Sequence, residues 1–264
     1  MRKYWMIFRV ELENTMAFRG AAMVWVIFDL IWIVVFPFVW LAVARASGDT
    51  VAGWNPIMIV TYFVFLALLS NLIFMHPEVH VGNEIYEGKF TNYLIKPQNY
   101  IMQAFLQQLS WKVVRATLFI PMLVVIVIPF RALIDFSVAT NPWFLIMAII
   151  LAIPIYFFSA LIVAFLAFWF EEPWPARSLF WVATGLFGGM YAPMEFMPAA
   201  VQKIAALLPF KYAIYFPLRL FIGKLGQADV VQGFLGQIIW FVILMLLIAL
   251  MWRKGLRKYS AIGR

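Results

Sequence analysis

Apolar blocks long enough to cross a bilayer recur along this chain, and that recurrence limits its fold more than any other feature. The blocks lie at about 21–44, 56–75, 113–130, 142–170, 178–193 and 234–252. A helix of about 20 apolar residues spans the ~30 Å hydrocarbon core of a membrane. Inside that core every backbone N–H and C=O must be satisfied internally, which leaves helices and closed barrels as the spanning structures. The chain is 66% hydrophobic and 12% charged, where soluble domains run at about 25% charged. The reading is an all-α integral membrane protein with six transmembrane helices, organised as a single domain over residues 1–264. With no cysteine, disulfides and thiolate metal sites are excluded.

Residues 1–20 mix Tyr4, Trp5, Ile7, Phe8, Val10 and Leu12 with Arg9, Glu11, Glu13 and Arg19. That pattern predicts an amphipathic helix lying along the membrane interface. Ala44-Arg45-Ala46 has the small-residue form of a cleavage site, but the apolar block before it is longer than a secretory h-region. The first span is therefore expected to be retained. Placing both termini in the cytoplasm gathers Arg2, Lys3, Arg9, Arg19, Lys89, Lys96, Lys112, Arg115, Arg177, Arg253, Lys254, Arg257, Lys258 and Arg264 on that side, 14 of the 20 basic residues. This satisfies the positive-inside tendency. The same asymmetry accounts for the net charge of +8 through contact with anionic lipid, so nucleic acid is not an expected partner.

The chemistry-bearing residues are few. His76 and His80 are spaced i, i+4, but Pro77 and Glu78 follow the first histidine and no third ligand is evident, so a zinc site is not expected. Neither a Gly-x-Ser-x-Gly elbow nor a Gly-x-x-x-x-Gly-Lys-Ser/Thr loop is present. Asp29 is a carboxylate inside the first span. Such a group is a functional candidate by default; the bland reading has it facing a neighbouring helix and accepting hydrogen bonds there. No repeat with matching broken helices marks an ion-coupled transporter. Glu171-Glu172 and the following prolines read simply as the end of the fourth span.

Two segments depart from the apolar pattern. The first, 76–97, is a polar stretch of mixed charge between long apolar blocks, rich in Glu84, Tyr86, Glu87, Gly88, Lys89, Phe90, Tyr93, Leu94 and Pro97. The second, 194–222, follows Gly188, Gly189 and Pro193 and contains Glu195, Pro198 and Pro209 around an apolar stretch too short to cross. Glycine and proline this dense at membrane depth predict a re-entrant helical hairpin on the outer side, between spans five and six.

Taken in order, these features resemble the permease subunit of type-2 ABC exporters (ABC-2), and in particular a bacterial subgroup formerly known as a domain of unknown function. Glu87-Gly-Lys-Phe-Thr-Asn-Tyr-Leu-Ile-Lys-Pro97 is similar to that subgroup's stretch after the second span, with Lys96 where an arginine is typical. Gly188-Gly-Met-Tyr-Ala-Pro-Met-Glu-Phe196, with Leu208-Pro-Phe210, is similar to its later signature. The resemblance implies a chain without catalytic, cofactor or metal residues. Two separate ABC ATPases would supply ATP hydrolysis, with ATP and magnesium bound there, and a second permease, identical or homologous, would complete the path in the bacterial inner (plasma) membrane. Residues 76–97 would be the coupling segment. Trp25, Asp29, Trp32, Tyr62 and Asn71 would be candidates for the substrate path. The alternative is an ion-coupled secondary transporter or channel working without an ATPase.

Overall fold

The computed structural model describes residues 2–48, 50–96, 98–135, 142–170, 172–223 and 225–259, without the side chains of Arg19, Ile33 and Phe130. Pro97, Glu171 and Lys224 therefore lie outside the described residues. The architecture is all-α. In chain order the helices are α1 (Arg2–Ala17), α2 (Arg19–Ala46), α3 (Pro56–Ile73), α4 (Pro77–Tyr86), α5 (Thr91–Leu94), α6 (Tyr100–Val127), α7 (Pro142–Phe165), α8 (Trp174–Phe187), α9 (Ala199–Ala206), α10 (Phe216–Ile222) and α11 (Gln227–Lys258). Among the described residues the only β pairing is an isolated bridge between Val51 and Trp54.

Among the described residues, five helical stretches are long and apolar enough to cross a membrane: Gly20–Ala46, Pro56–Tyr86, Tyr100–Val127, Pro142–Phe168 and Gln227–Lys258. A sixth crossing is reached if the pair Ala199–Ala206 and Lys211–Ile222, bent by 88°, counts as one span. The apolar block at 178–193 forms α8, a helix of 14 residues, or about 21 Å, which is short of the hydrocarbon core. Gly188 and Gly189 end it: Gly189 takes φ +79°, a conformation L side chains avoid.

Local sequence sets the element boundaries. Asn55 caps α3 by accepting from the Met58 N–H at 2.8 Å, and Asn99 caps α6 by accepting from the Met102 N–H at 3.1 Å. The cap at Asn99 starts α6 well before the apolar block at 113, so Lys112 and Arg115 stand inside a 28-residue helix rather than in a loop. The segment 76–97 is likewise built, not loose: α4 and α5 occupy most of it.

Helix α3 is the hub. Most of its residues are buried, including Ile59, Tyr62, Phe63, Leu66 and Leu69, because its apolar residues run round the whole circumference as expected of a helix enclosed by others. Helices α2, α7 and α10 pack around it. Helix α1 lies against α6, where the Ser110 hydroxyl meets the Phe8 carbonyl at 3.3 Å. On the far side α11 packs along α7.

Candidate functional site

The polar segment between α3 and α6 is anchored at its root and exposed at its tip. Pro77 opens α4, a favoured residue at a helix start. One face of α4 buries Glu78, Val81, Gly82 and Ile85. Glu78 is fully buried, yet its carboxylate is engaged: Oε1 accepts from Trp181 Nε1 at 2.9 Å and lies 2.9 Å from His76 Nδ1. Arg177, also buried, donates from Nη2 to the Asn83 side-chain oxygen at 2.6 Å and to the Val79 carbonyl at 3.3 Å. Trp181 and Arg177 both belong to α8, so the root of α4 is tied to the start of α8 by two charge-assisted contacts.

Beyond α4 the chain turns back on itself. Gly88 adopts φ +75°, and the Phe90 N–H donates to the Glu84 carbonyl at 2.9 Å. Phe90 is fully buried and meets Tyr100, Tyr259, Phe168 and Trp252 edge-on, with centroids 4.8–5.7 Å apart. Glu84 accepts hydrogen bonds from the hydroxyls of Tyr93 and Tyr100. The Tyr259 hydroxyl donates to the Gly88 carbonyl at 2.8 Å, which ties the chain just beyond α11 to the same turn. Burial, followed by the Glu84 carboxylate, holds the Tyr93 hydroxyl well above its ordinary pKa.

What remains exposed is a compact tip. Tyr86, Glu87, Lys89 and Leu94 face outward. Lys89 pairs with Glu87 at 2.5 Å, and this bond raises the lysine pKa although the ammonium is fully solvated. The candidate coupling residues thus divide in two. Glu84, Phe90 and Tyr93 join the intramolecular scaffold, while Tyr86, Glu87, Lys89 and Leu94 form a surface. Arg177, Trp181, Tyr100 and Tyr259 complete the scaffold; sequence reading missed them, because Arg177 registers there only as a topological charge and the aromatics as lipid-facing bulk.

The substrate-path candidates also divide. Tyr62 is fully buried and donates to the Gly189 carbonyl at 2.6 Å, joining α3 to the turn after α8. Asp29 pairs with Arg115 across α2 and α6. Trp25 and Trp32 stand exposed on the same face of α2 as Asp29, and Asn71 is partly buried near the end of α3.

The hairpin end is held by a second set of contacts. Glu195 pairs with Arg219 at 3.1 Å and accepts from the Tyr215 hydroxyl, and the Arg219 guanidinium lies 5.5 Å from the Trp54 ring centre. Pro193 is buried, and Pro198 precedes α9 as its cap residue. Pro209 lies at the bend between the two arms.

No curated protein and no solved structure matches the chain. A family profile does: the one described as "ABC-2 family transporter protein" matches residues 30–263. That match takes in α3 to α11, the anchored polar segment and the bent hairpin. The chain belongs to the ABC-2 transporter family as a multi-pass membrane permease.

Proposed function

We propose that this permease is the transmembrane subunit of an ATP-driven exporter, paired with a second permease and driven by two separate ATPase subunits that bind ATP and magnesium. Both termini and the 76–97 segment face the cytoplasm of a bacterial cell, and the hairpin 194–222 faces outward. The ATPase docks on the tip formed by Tyr86, Glu87, Lys89 and Leu94.

The observation that carries this reading is the division between tip and root. A partner can grip the exposed tip, and the root passes force inward because Glu78, Arg177 and Trp181 tie α4 to α8. ATP binding draws the two docking segments together and thereby disfavours the inward-open arrangement, a population shift rather than chemistry on this chain. The ion-coupled alternative finds less support: Asp29 is already matched by Arg115.

The test is co-expression with the ATPase subunit, affinity capture in mild detergent, and ATP-driven transport in vesicles. Glu87→Lys and Leu94→Asp should each reduce ATPase recovery at least severalfold while the permease inserts and purifies normally. Full recovery and normal transport with both changes would overturn the docking assignment. Transport that persists with no ATPase present would overturn the exporter reading itself.

A further inference from the structure

Lys112, one turn before Arg115 on α6, has no carboxylate to answer it. Its ammonium donates to the Asn71 carbonyl at 2.9 Å, and among the described residues it makes no ion pair. Asp29 supplies the single negative charge of this cluster and is taken by Arg115. Two further donors, Asn71 Nδ2 and Arg115 Nε, are buried without a partner. With Lys112 protonated, the cluster carries one excess positive charge and a surplus of donors, an arrangement that is costly at membrane depth unless an anion answers it.

Its depth and surroundings narrow the anion. Lys112 stands just before the apolar block that begins at 113, and Ser110, two residues earlier on α6, meets the Phe8 carbonyl of α1. The start of α6 is the stretch that α1 covers. The cluster thus sits at the level where headgroups give way to acyl chains in the leaflet on the α1 side. Asp29 is 39% exposed, and Trp25, Phe28 and Trp32 flank it on an open face of α2. Aromatic rings beside an excess cation suit an amphiphile: the rings meet the upper chain and the donors meet the headgroup.

We propose that Lys112, Arg115 and Asn71, with Trp25 and Trp32 as its walls, form a binding site for the anionic headgroup of a membrane lipid. This site stands apart from the exporter reading, since it requires no ATPase.

The test uses the full chain in phosphatidylcholine vesicles, with brominated phosphatidylglycerol or brominated phosphatidylcholine as quencher. Subtracting the quenching of a chain carrying Trp25→Phe and Trp32→Phe isolates the two tryptophans. Phosphatidylglycerol should quench them at lower mole fraction than phosphatidylcholine. Lys112→Gln should lower that preference about fivefold, the factor expected for one cation near a bilayer surface, and Lys112→Arg should keep it. Asp29→Asn, which removes the carboxylate that pairs with Arg115, should strengthen it, a change that misfolding cannot imitate. Equal quenching by the two lipids, or an unchanged preference in Lys112→Gln, overturns the proposal. So does relief of the preference by inorganic phosphate, which would make the occupant a soluble anion. Tryptophans that neither lipid reaches would mean that a second copy of the chain covers this face, and would overturn it as well.

Discussion

The Arg177 guanidinium occupies the space a side chain at Gly82 would need: a Cβ built there stands 2.7 Å from Arg177 Nη2. The close approach lets an arginine of α8 lie across α4 and reach both the Val79 carbonyl and Asn83. Gly82→Ala should push the guanidinium off those acceptors. A lost hydrogen bond to a charged group costs about 1.5–3 kcal/mol. Thermal unfolding of the detergent-purified chain should show the loss, and an unchanged midpoint would mean that Arg177 finds other acceptors at no cost.

Substitutions in the 76–97 segment should sort by direction. Phe90→Ala opens a vacancy among Tyr100, Phe168, Trp252 and Tyr259 and should destabilise by about 3–5 kcal/mol. Lys89→Glu touches only the solvated tip and should leave the midpoint within about 0.5 kcal/mol. Size-exclusion profiles and thermal midpoints of the two variants separate scaffold from surface. Equal behaviour would dissolve the distinction.

Much of this division could not be read from the chain. The existence of five long apolar helices and the break at Gly188-Gly189 were legible, since length and composition specify them. The start of α6 was not. Gln103, Gln107, Gln108, Ser110 and Lys112 have the composition of a loop, yet the protein satisfies several of them: Gln108 Oε1 accepts the His76 N–H at 2.7 Å and Lys112 reaches Asn71. A polar residue at helical spacing reveals its polarity, not its partner. The same limit applies to Phe90 and Arg177, whose neighbours, Tyr100 beside Phe90 apart, lie more than 70 residues away in sequence.

Tyr62 and Gly189 make a second pair with a measurable worth. Tyr62→Phe removes the hydroxyl that donates to the Gly189 carbonyl at 2.6 Å and should cost about 1 kcal/mol. Gly189→Ala should cost more. Its Cβ would stand 2.7 Å from the Tyr62 hydroxyl, and the backbone holds φ +79° there. A thermal midpoint for Gly189→Ala at or above that of Tyr62→Phe would contradict this order.

Acidity should tighten the hold on α1. Burial, then the charge of Glu84, raises the Glu11 pKa above its ordinary 4.5, with Lys96 partly opposing. A carboxyl whose folded pKa is raised binds more protons folded than unfolded, so its contribution to stability falls as pH rises through the window above 4.5. Docking of α1 should therefore strengthen on acidification from neutral pH. Glu11→Gln should remove that pH dependence and protect α1 at pH 7. Hydrogen exchange of the α1 amides at two pH values reads both effects, and identical protection in the variant would refute the account.

Two glycines of α11 receive aromatic rings from the hairpin side. A Cβ at Gly233 would stand 1.9 Å from the Phe216 ring, and one at Gly236 would stand 2.0 Å from the Tyr212 ring. Gln237 adds a clamp, its amide donating to the carbonyls of Tyr212 and Ala148 at 3.0 and 2.9 Å. Parting these surfaces would leave ring-sized vacancies on one partner and bare rings on the other. The inner arm of the hairpin, α11 and α7 are therefore welded into one stator. Any gap that opens at that end of the bundle must run along the opposite seam, where α2 meets the turn after α8 through the Trp40 Nε1 bond to the Tyr191 carbonyl and the ring contacts of Phe36 with Tyr191 and Trp40 with Phe196.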